Sequence, residues 1–178
     1  MSEKTPIRFG QDEKFSIVIN EFTHGSTMLF GKFQFILFGF EIGNDCFAPL
    51  GPVFHSLGFF LKDINALNSV GLYDRTAEET FSEIEEKYFK FDPEKDDYDE
   101  SVQMLEKLIL CPIGATSEFF DGWQVFVLPN ADETICKVIF KDVEEQIRVG
   151  LIESRHFIGA CQQFLDWFKI EDSKLERQ

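Results

Sequence analysis

A chain of 178 residues with 44% hydrophobic content, 22 Phe and a formal net charge of −15 holds enough apolar surface for one sizeable core and too much for intrinsic disorder. That charge argues against nucleic acid and against anionic membrane surfaces, which both require Lys/Arg patches, and it permits a cationic protein partner. No apolar run approaches the roughly 20 residues of a membrane-spanning helix, and the start MSEKTPIRFGQDEK lacks the apolar stretch of a secretory signal, so residence in the cytosol is the default expectation.

Residues 1–13 are polar, contain Pro6 and Gly10, and are expected to be loosely held. Lys14 to Phe22 (KFSIVINEF) alternates Phe15, Ile17 and Ile19 against Ser16, Val18 and Asn20, the pattern of a half-buried strand. Thr23-His24-Gly25-Ser26 is turn chemistry. The organising stretch follows: Leu29 to Gly43, LFGKFQFILFGFEIG. A period of two sets Leu29, Phe33, Phe35 and Leu37 on one face of a strand and Phe30, Lys32, Gln34 and Ile36 on the other. Phe38-Gly39 can turn the chain, because Gly tolerates positive φ, and Phe40-Glu41-Ile42 can return as a second strand. Phe33 and Phe35 are expected to be buried, on a central strand.

After a loop containing Pro49, Gly51 and Pro52, the three- and four-residue steps Val53, Leu57, Phe60, Ile64 and Leu67 predict a helix. Thr76-Ala77-Glu78-Glu79 has the spacing of a capping box and opens a second helix, with Phe81, Ile84 and Tyr88 on one side and acid on the other. Residues 91–98 (FDPEKDDY) read as a loop. A third helix is predicted with Val102, Leu105 and Ile109 inward, stopping before Pro112. Ile113 to Gly122 is irregular. Trp123–Leu128, Thr134–Lys141 and Gln146–Ile152 then form a three-stranded meander, and a last helix runs from about Ser154 to Lys169 with Phe157, Cys161, Phe164 and Phe168 inward. The tail, 170–178, is polar and expected to fray. Strands, helices, strands and a final helix argue one domain over 1–178 of the α+β class, with a largely antiparallel sheet and helices massed on one side.

Signals for catalysis are absent. His24, His55 and His156 are tied by no signature to a nucleophile. Glu153 and His156 share an E-x-x-H spacing that di-iron bundles use twice with two further Glu; here it occurs once, beside Arg155, and reads as an ion-pairing cluster. There is no G-x-x-x-x-G-K-[ST] and no G-x-G-x-x-G. The run Asp92 to Glu100 lacks the central Gly and closing Glu of a calcium loop. Four dispersed cysteines (Cys46, Cys111, Cys136, Cys161) form no C-x-x-C pair and are read as reduced. No cofactor and no metal site is expected.

Charge, by contrast, is concentrated. Glu78 to Glu100 holds eleven acidic residues against Lys87, Lys90 and Lys95. Asp96, Asp97, Asp99 and Glu100 are the densest part. They read either as solvated surface, with acids favouring the positive end of a helix, or as a surface for a cationic partner.

Several of these stretches resemble the immunity protein 42 family, bacterial immunity proteins of polymorphic-toxin and contact-dependent inhibition systems. The resemblance rests on F-G-K-F-Q-F at Phe30–Phe35, F-E-I-G at Phe40–Gly43, S-E-F-F-D-G-W-Q-V at Ser117–Val125, and a final helix that closes on a Trp-Phe pair. Ser117 departs from the Gly expected there. The resemblance implies a cytosolic, non-enzymatic protein that binds and blocks a cognate toxin C-terminal domain, with no catalytic residues to carry over. A nuclease-type toxin is cationic where its substrate binds, so Asp96, Asp97, Asp99 and Glu100 become the candidate partner-binding residues. A small hydrolase or transferase assembled from scattered residues, and an acidic adaptor, are the alternatives.

Overall fold

A computed structural model describes residues 5–11, 13–64, 71–90, 107–110, 117–120, 122–141, 144 and 146–175. The α+β class and the antiparallel pairing hold, but the strands divide between two sheets rather than joining one. The first comprises β1 (Ile7–Gln11), β2 (Phe15–His24), β3 (Leu29–Leu37), β4 (Phe40–Ile42) and the two-residue β5 (Ala48–Pro49), in the order β1-β2-β3-β4 with β5 also on β3. The second is the meander β6 (Gln124–Pro129), β7 (Ile135–Lys141) and β8 (Ile147–Glu153). The expectation of a loose start at 1–13 is corrected for Ile7–Gln11. Phe9 is buried against Phe164 and Trp167, and this side chain docks the segment as an edge strand.

β3 is flanked by strands on both sides and alternates as its sequence requires: Leu29, Phe33, Phe35 and Leu37 are buried inward. The turn to β4 has positive φ at both central residues, Phe38 (53°) and Gly39 (81°). That is the pair of values a type I′ hairpin turn uses, whose twist suits the flanking strands. Positive φ at a Phe is strained, and tertiary packing holds it. A β-carbon built on Gly150 of β8 would lie 2.0 Å from Cζ of Phe38, so only glycine leaves room for that ring. Phe40 packs on Phe140 at 5.9 Å between centroids, with the Arg148 guanidinium 4.3 Å above its ring. The hairpin tip thus clasps the inner face of the meander.

Helix α1 (Gly51–Asp63) buries Val53, Leu57 and Phe60. Helix α2 (Ala77–Ile84) begins with the expected capping box and runs into a π-helical turn, Glu85–Phe89. Residues 107 and 108 are helical as well, and a short helix α3 (Ser117–Phe120) and the long α4 (Ser154–Asp172) follow. Helix α4 runs three residues beyond its expected end and packs on β1, β2, β7, β8 and α1. Phe157 meets Phe15 at 4.7 Å, Phe164 meets Phe33 at 5.3 Å, and Phe168 stacks on Phe54 at 4.5 Å. Edge-to-face and offset rings of this kind add about 0.5–1.5 kcal/mol per pair beyond area burial.

The F-E-I-G and S-E-F-F-D-G-W runs, distant in sequence, meet in this core. A β-carbon on Gly43 would lie 3.3 Å from the carbonyl oxygen of Phe119, and the next residue, Asn44, donates its backbone N–H to that carbonyl at 2.5 Å. Of the third predicted helix, Val102 and Leu105 lie outside the described residues, as does Leu67 of the first. Ile109 is buried and bridges antiparallel to Phe126.

Candidate functional site

The candidate partner residues Asp96, Asp97, Asp99 and Glu100 lie outside the described residues. The preceding part of the acidic run, Glu78 to Glu86, lies within the described residues and splits in two. Glu79 accepts from the backbone N–H of Thr76 at 3.0 Å and from its hydroxyl at 3.1 Å, and these bonds hold its carboxyl below the usual glutamate range. Glu83 pairs with Arg75 and, at 2.8 Å, with Lys87; Glu85 pairs more loosely with Lys90 at 4.0 Å. Glu78 and Glu86 are exposed and enter no ion pair among the described residues. Such pairs contribute little stability, and it is Glu78 and Glu86 that present unpaired charge to solvent.

Helix α2 lies across the outer face of the meander, and the register shows what it covers and what it leaves bare. Phe126 on β6 pairs with Ile139 on β7, which pairs with Val149 on β8. Along that row the relative exposure runs 0%, 0% and 53%. Phe81 of α2 seals its inner end, 5.4 Å from Phe126. One row on, Leu128, Lys137 and Leu151 align, and exposure rises from 3% at Leu128 to 62% at Leu151. Lys137 is held down between them: its ammonium donates to the carbonyls of Tyr73 and Arg75, and burial lowers its pKa. Val149 and Leu151 therefore form an exposed apolar ridge on the outermost strand of the meander among the described residues, beside an acidic helix. Sequence reasoning did not single out these two residues. The signal was the alternation Ile147, Val149, Leu151 opposite Gly150, which marks a shared face without saying whether that face is covered.

The titratable groups weighed for chemistry are dispersed. His24 lies 3.2 Å from Glu171, His55 is exposed on α1, and His156 is half-buried on α4. Glu153 is engaged by Arg155, at 2.7 Å from Nε and 2.6 Å from Nη2, and by Lys14 at 3.7 Å. Arg155 accordingly holds the Glu153 carboxyl below its ordinary range, and the E-x-x-H spacing is an ion-pairing cluster. Burial pushes the thiols of Cys136 and Cys161 up, which keeps both protonated and poor nucleophiles at neutral pH. Cys46 is half-buried, and Cys111 lies outside the described residues. No three His, Cys, Asp or Glu are grouped to hold a metal ion among the described residues, and no helix among them is long and apolar enough to cross a membrane.

A groove of about 460 Å³ between α1 and α4 is the alternative site; Phe54, Phe59 and Leu165 line it, with Lys62, Lys169 and His55 around them. Its cations would repel a basic partner; the ridge's face also carries cations, Lys137 and Lys141, but the carboxylates of α2 stand beside them. The ridge is the better candidate on charge.

The fold is similar to that in a crystal structure of CdiI from Burkholderia dolosa AUO158, with a TM-score of 0.60 at 14% identity over 90% of this chain and 99% of that one. Comparison with curated proteins returns no match. A sequence profile described as immunity protein 42 matches residues 1–167, well over half of the 178 residues, and the chain belongs to the immunity protein 42 family.

Proposed function

We propose that this chain is a non-enzymatic immunity protein of the bacterial cytoplasm that binds and neutralises a cognate contact-dependent inhibition toxin. The toxin domain is basic and nuclease-type, and it is blocked by occlusion of its active site or substrate surface. The observation that carries the reading is the family match over residues 1–167; the net charge of −15 supports the choice of a cationic partner. Carboxylates presented toward solvent can stand where a nuclease's phosphates would bind. Nucleic acid and membrane are not partners in this reading.

The test is an on-rate measurement against the purified C-terminal domain of the cognate toxin. Wild type is compared with a variant carrying Asp96→Lys, Asp97→Lys, Asp99→Lys and Glu100→Lys, at two salt concentrations. Association of the variant is expected to be slower by at least about tenfold at low salt, with the difference shrinking as salt screens the charges. Equal rates at both concentrations would remove Asp96, Asp97, Asp99 and Glu100 from the partner surface. The non-enzymatic half is tested by protection of toxin-expressing cells. Folded His156→Ala and Cys161→Ala variants are expected to protect as wild type does, and a folded variant without protection would restore the enzyme reading.

A further inference from the structure

We infer that β8 is a docking edge that pairs, backbone to backbone, with a strand of the toxin domain, Val149 and Leu151 being its apolar anchors. The inference rests on the immunity reading and says how the partner is held.

Edge strands present unpaired N–H and C=O groups, and folded proteins usually blunt them with short length, proline, bulges, charge or a cover. The other edges here are blunted in these ways. β1 has five residues and a distorted Gly10 at φ 100°; β4 has three residues. β6 ends on Pro129, and Ile109 and Leu110 cross it, Leu110 donating its N–H to the carbonyl of Val125 at 2.9 Å. β8 differs in length, in regularity and, among the described residues, in having no cover, although it carries charge at Arg148 and Glu153. Its seven residues contain no proline, and its register with β7 is unbroken from Ile147 to Glu153. Among the described residues no strand lies beyond it, and no backbone hydrogen bond outside the meander reaches Val149 to Glu153.

Two further observations make this edge suited to binding. Its inner side is pinned, because the Phe38 ring sits where a side chain on Gly150 would be; the strand is held in one register before any partner arrives. Its outer side carries Val149 and Leu151, 53% and 62% exposed, two residues apart and so on one face. A strand laid beside β8 would add main-chain hydrogen bonds and set every second side chain over that ridge, the arrangement of strand-addition complexes. Charge selects the occupant. A second copy would bring −15 against −15 and add to the repulsion around α2, whereas a cationic domain gains from the same field.

The experiment uses the full chain and the same toxin C-terminal domain as probe. Amide hydrogen exchange is measured across 147–153 with and without toxin, and affinity is measured for wild type and for Val149→Thr/Leu151→Thr, a change that keeps charge and strand propensity. The expected result is protection of the outward-facing amides of Val149, Leu151 and Glu153 by about tenfold or more in the complex, with affinity of the double variant lower by about tenfold or more at an unchanged urea midpoint. A wild-type complex with unprotected β8 amides and undiminished variant affinity overturns this inference and leaves the immunity reading standing. No wild-type complex at all overturns both. Protection that rises with chain concentration in the absence of toxin, together with a dimer in sedimentation, overturns the toxin as occupant in favour of a second copy.

Discussion

β3 and β8 both alternate apolar residues along a strand, and they use the alternation in opposite senses. On β3 the large set, Leu29, Phe33, Phe35 and Leu37, points into the aromatic core and is sealed by α3 and α4. On β8 Val149 and Leu151 point away from the core and stay more than half exposed although α2 packs on that strand, while the inner side of the strand carries Gly150 beneath the Phe38 ring. An alternating pattern states which residues share a face. Whether that face is buried depends on what else in the chain comes to cover it. An apolar set left exposed on the longest edge strand among the described residues is what the docking proposal builds on, where the same set inside a sheet is packing.

The comparison can be broken most decisively at β3. Phe35→Ala removes a ring stacked on Phe120 and edge-on to Phe33, and it is expected to cost about 3–5 kcal/mol, a large share of a total stability of about 5–15 kcal/mol. An unchanged urea midpoint would show that this strand does not organise the core. Next is the join between the two regions. Gly150→Ala drives a methyl group into the Phe38 ring and is expected to cost about 1–3 kcal/mol by overpacking. In a Phe38→Ala background that cost should largely disappear, so a double-mutant cycle that proved additive would show that the ring does not pin β8.

The helix beside the ridge supplies a smaller effect. Thr76→Ala deletes the N-cap acceptor of α2 and is expected to cost about 1 kcal/mol, read in the same denaturation. Its partner Glu79 adds a pH signature. The folded-state pKa is lowered, so its contribution is present above the unfolded value of 4.5 and is lost as pH falls through the depressed folded value. Glu79→Gln should therefore differ from wild type at about pH 6 and converge with it on acidification. A gap that widened toward low pH would contradict the capping geometry. Smallest of all, Leu151→Ala is expected to change stability by no more than about 0.5 kcal/mol, because its side chain is mostly solvated. A loss comparable to that at Phe35 would place Leu151 in the core and end the distinction between the two strands.

Much of the first sheet was legible in the sequence. Period-two alternation marked β2 and β3, Gly39 marked the turn, and the T-x-x-E spacing marked the α2 cap, since each depends on neighbours in the chain. The positive φ of Phe38 was not legible, because the residue that permits it, Gly150, lies more than a hundred positions away. The strand at Ile7–Gln11 was missed for a similar reason. It is short and sits in a polar stretch, and Phe9 ties it down through rings from α4, with Ile7 half-buried beside the core.

The amino-acid sequence alone determined the class, the antiparallel elements, the aromatic identity of the core and the acidic balance, because periodicity, turn chemistry and charge are local or additive properties. The division of the strands into two sheets was decided only by the tertiary structure, as was the meeting of the Phe40–Gly43 and Ser117–Val125 runs. So was the exposure of Val149 and Leu151. These depend on which surfaces are brought together across long stretches of chain, where loop closure, ring packing and the reach of a covering helix set the outcome.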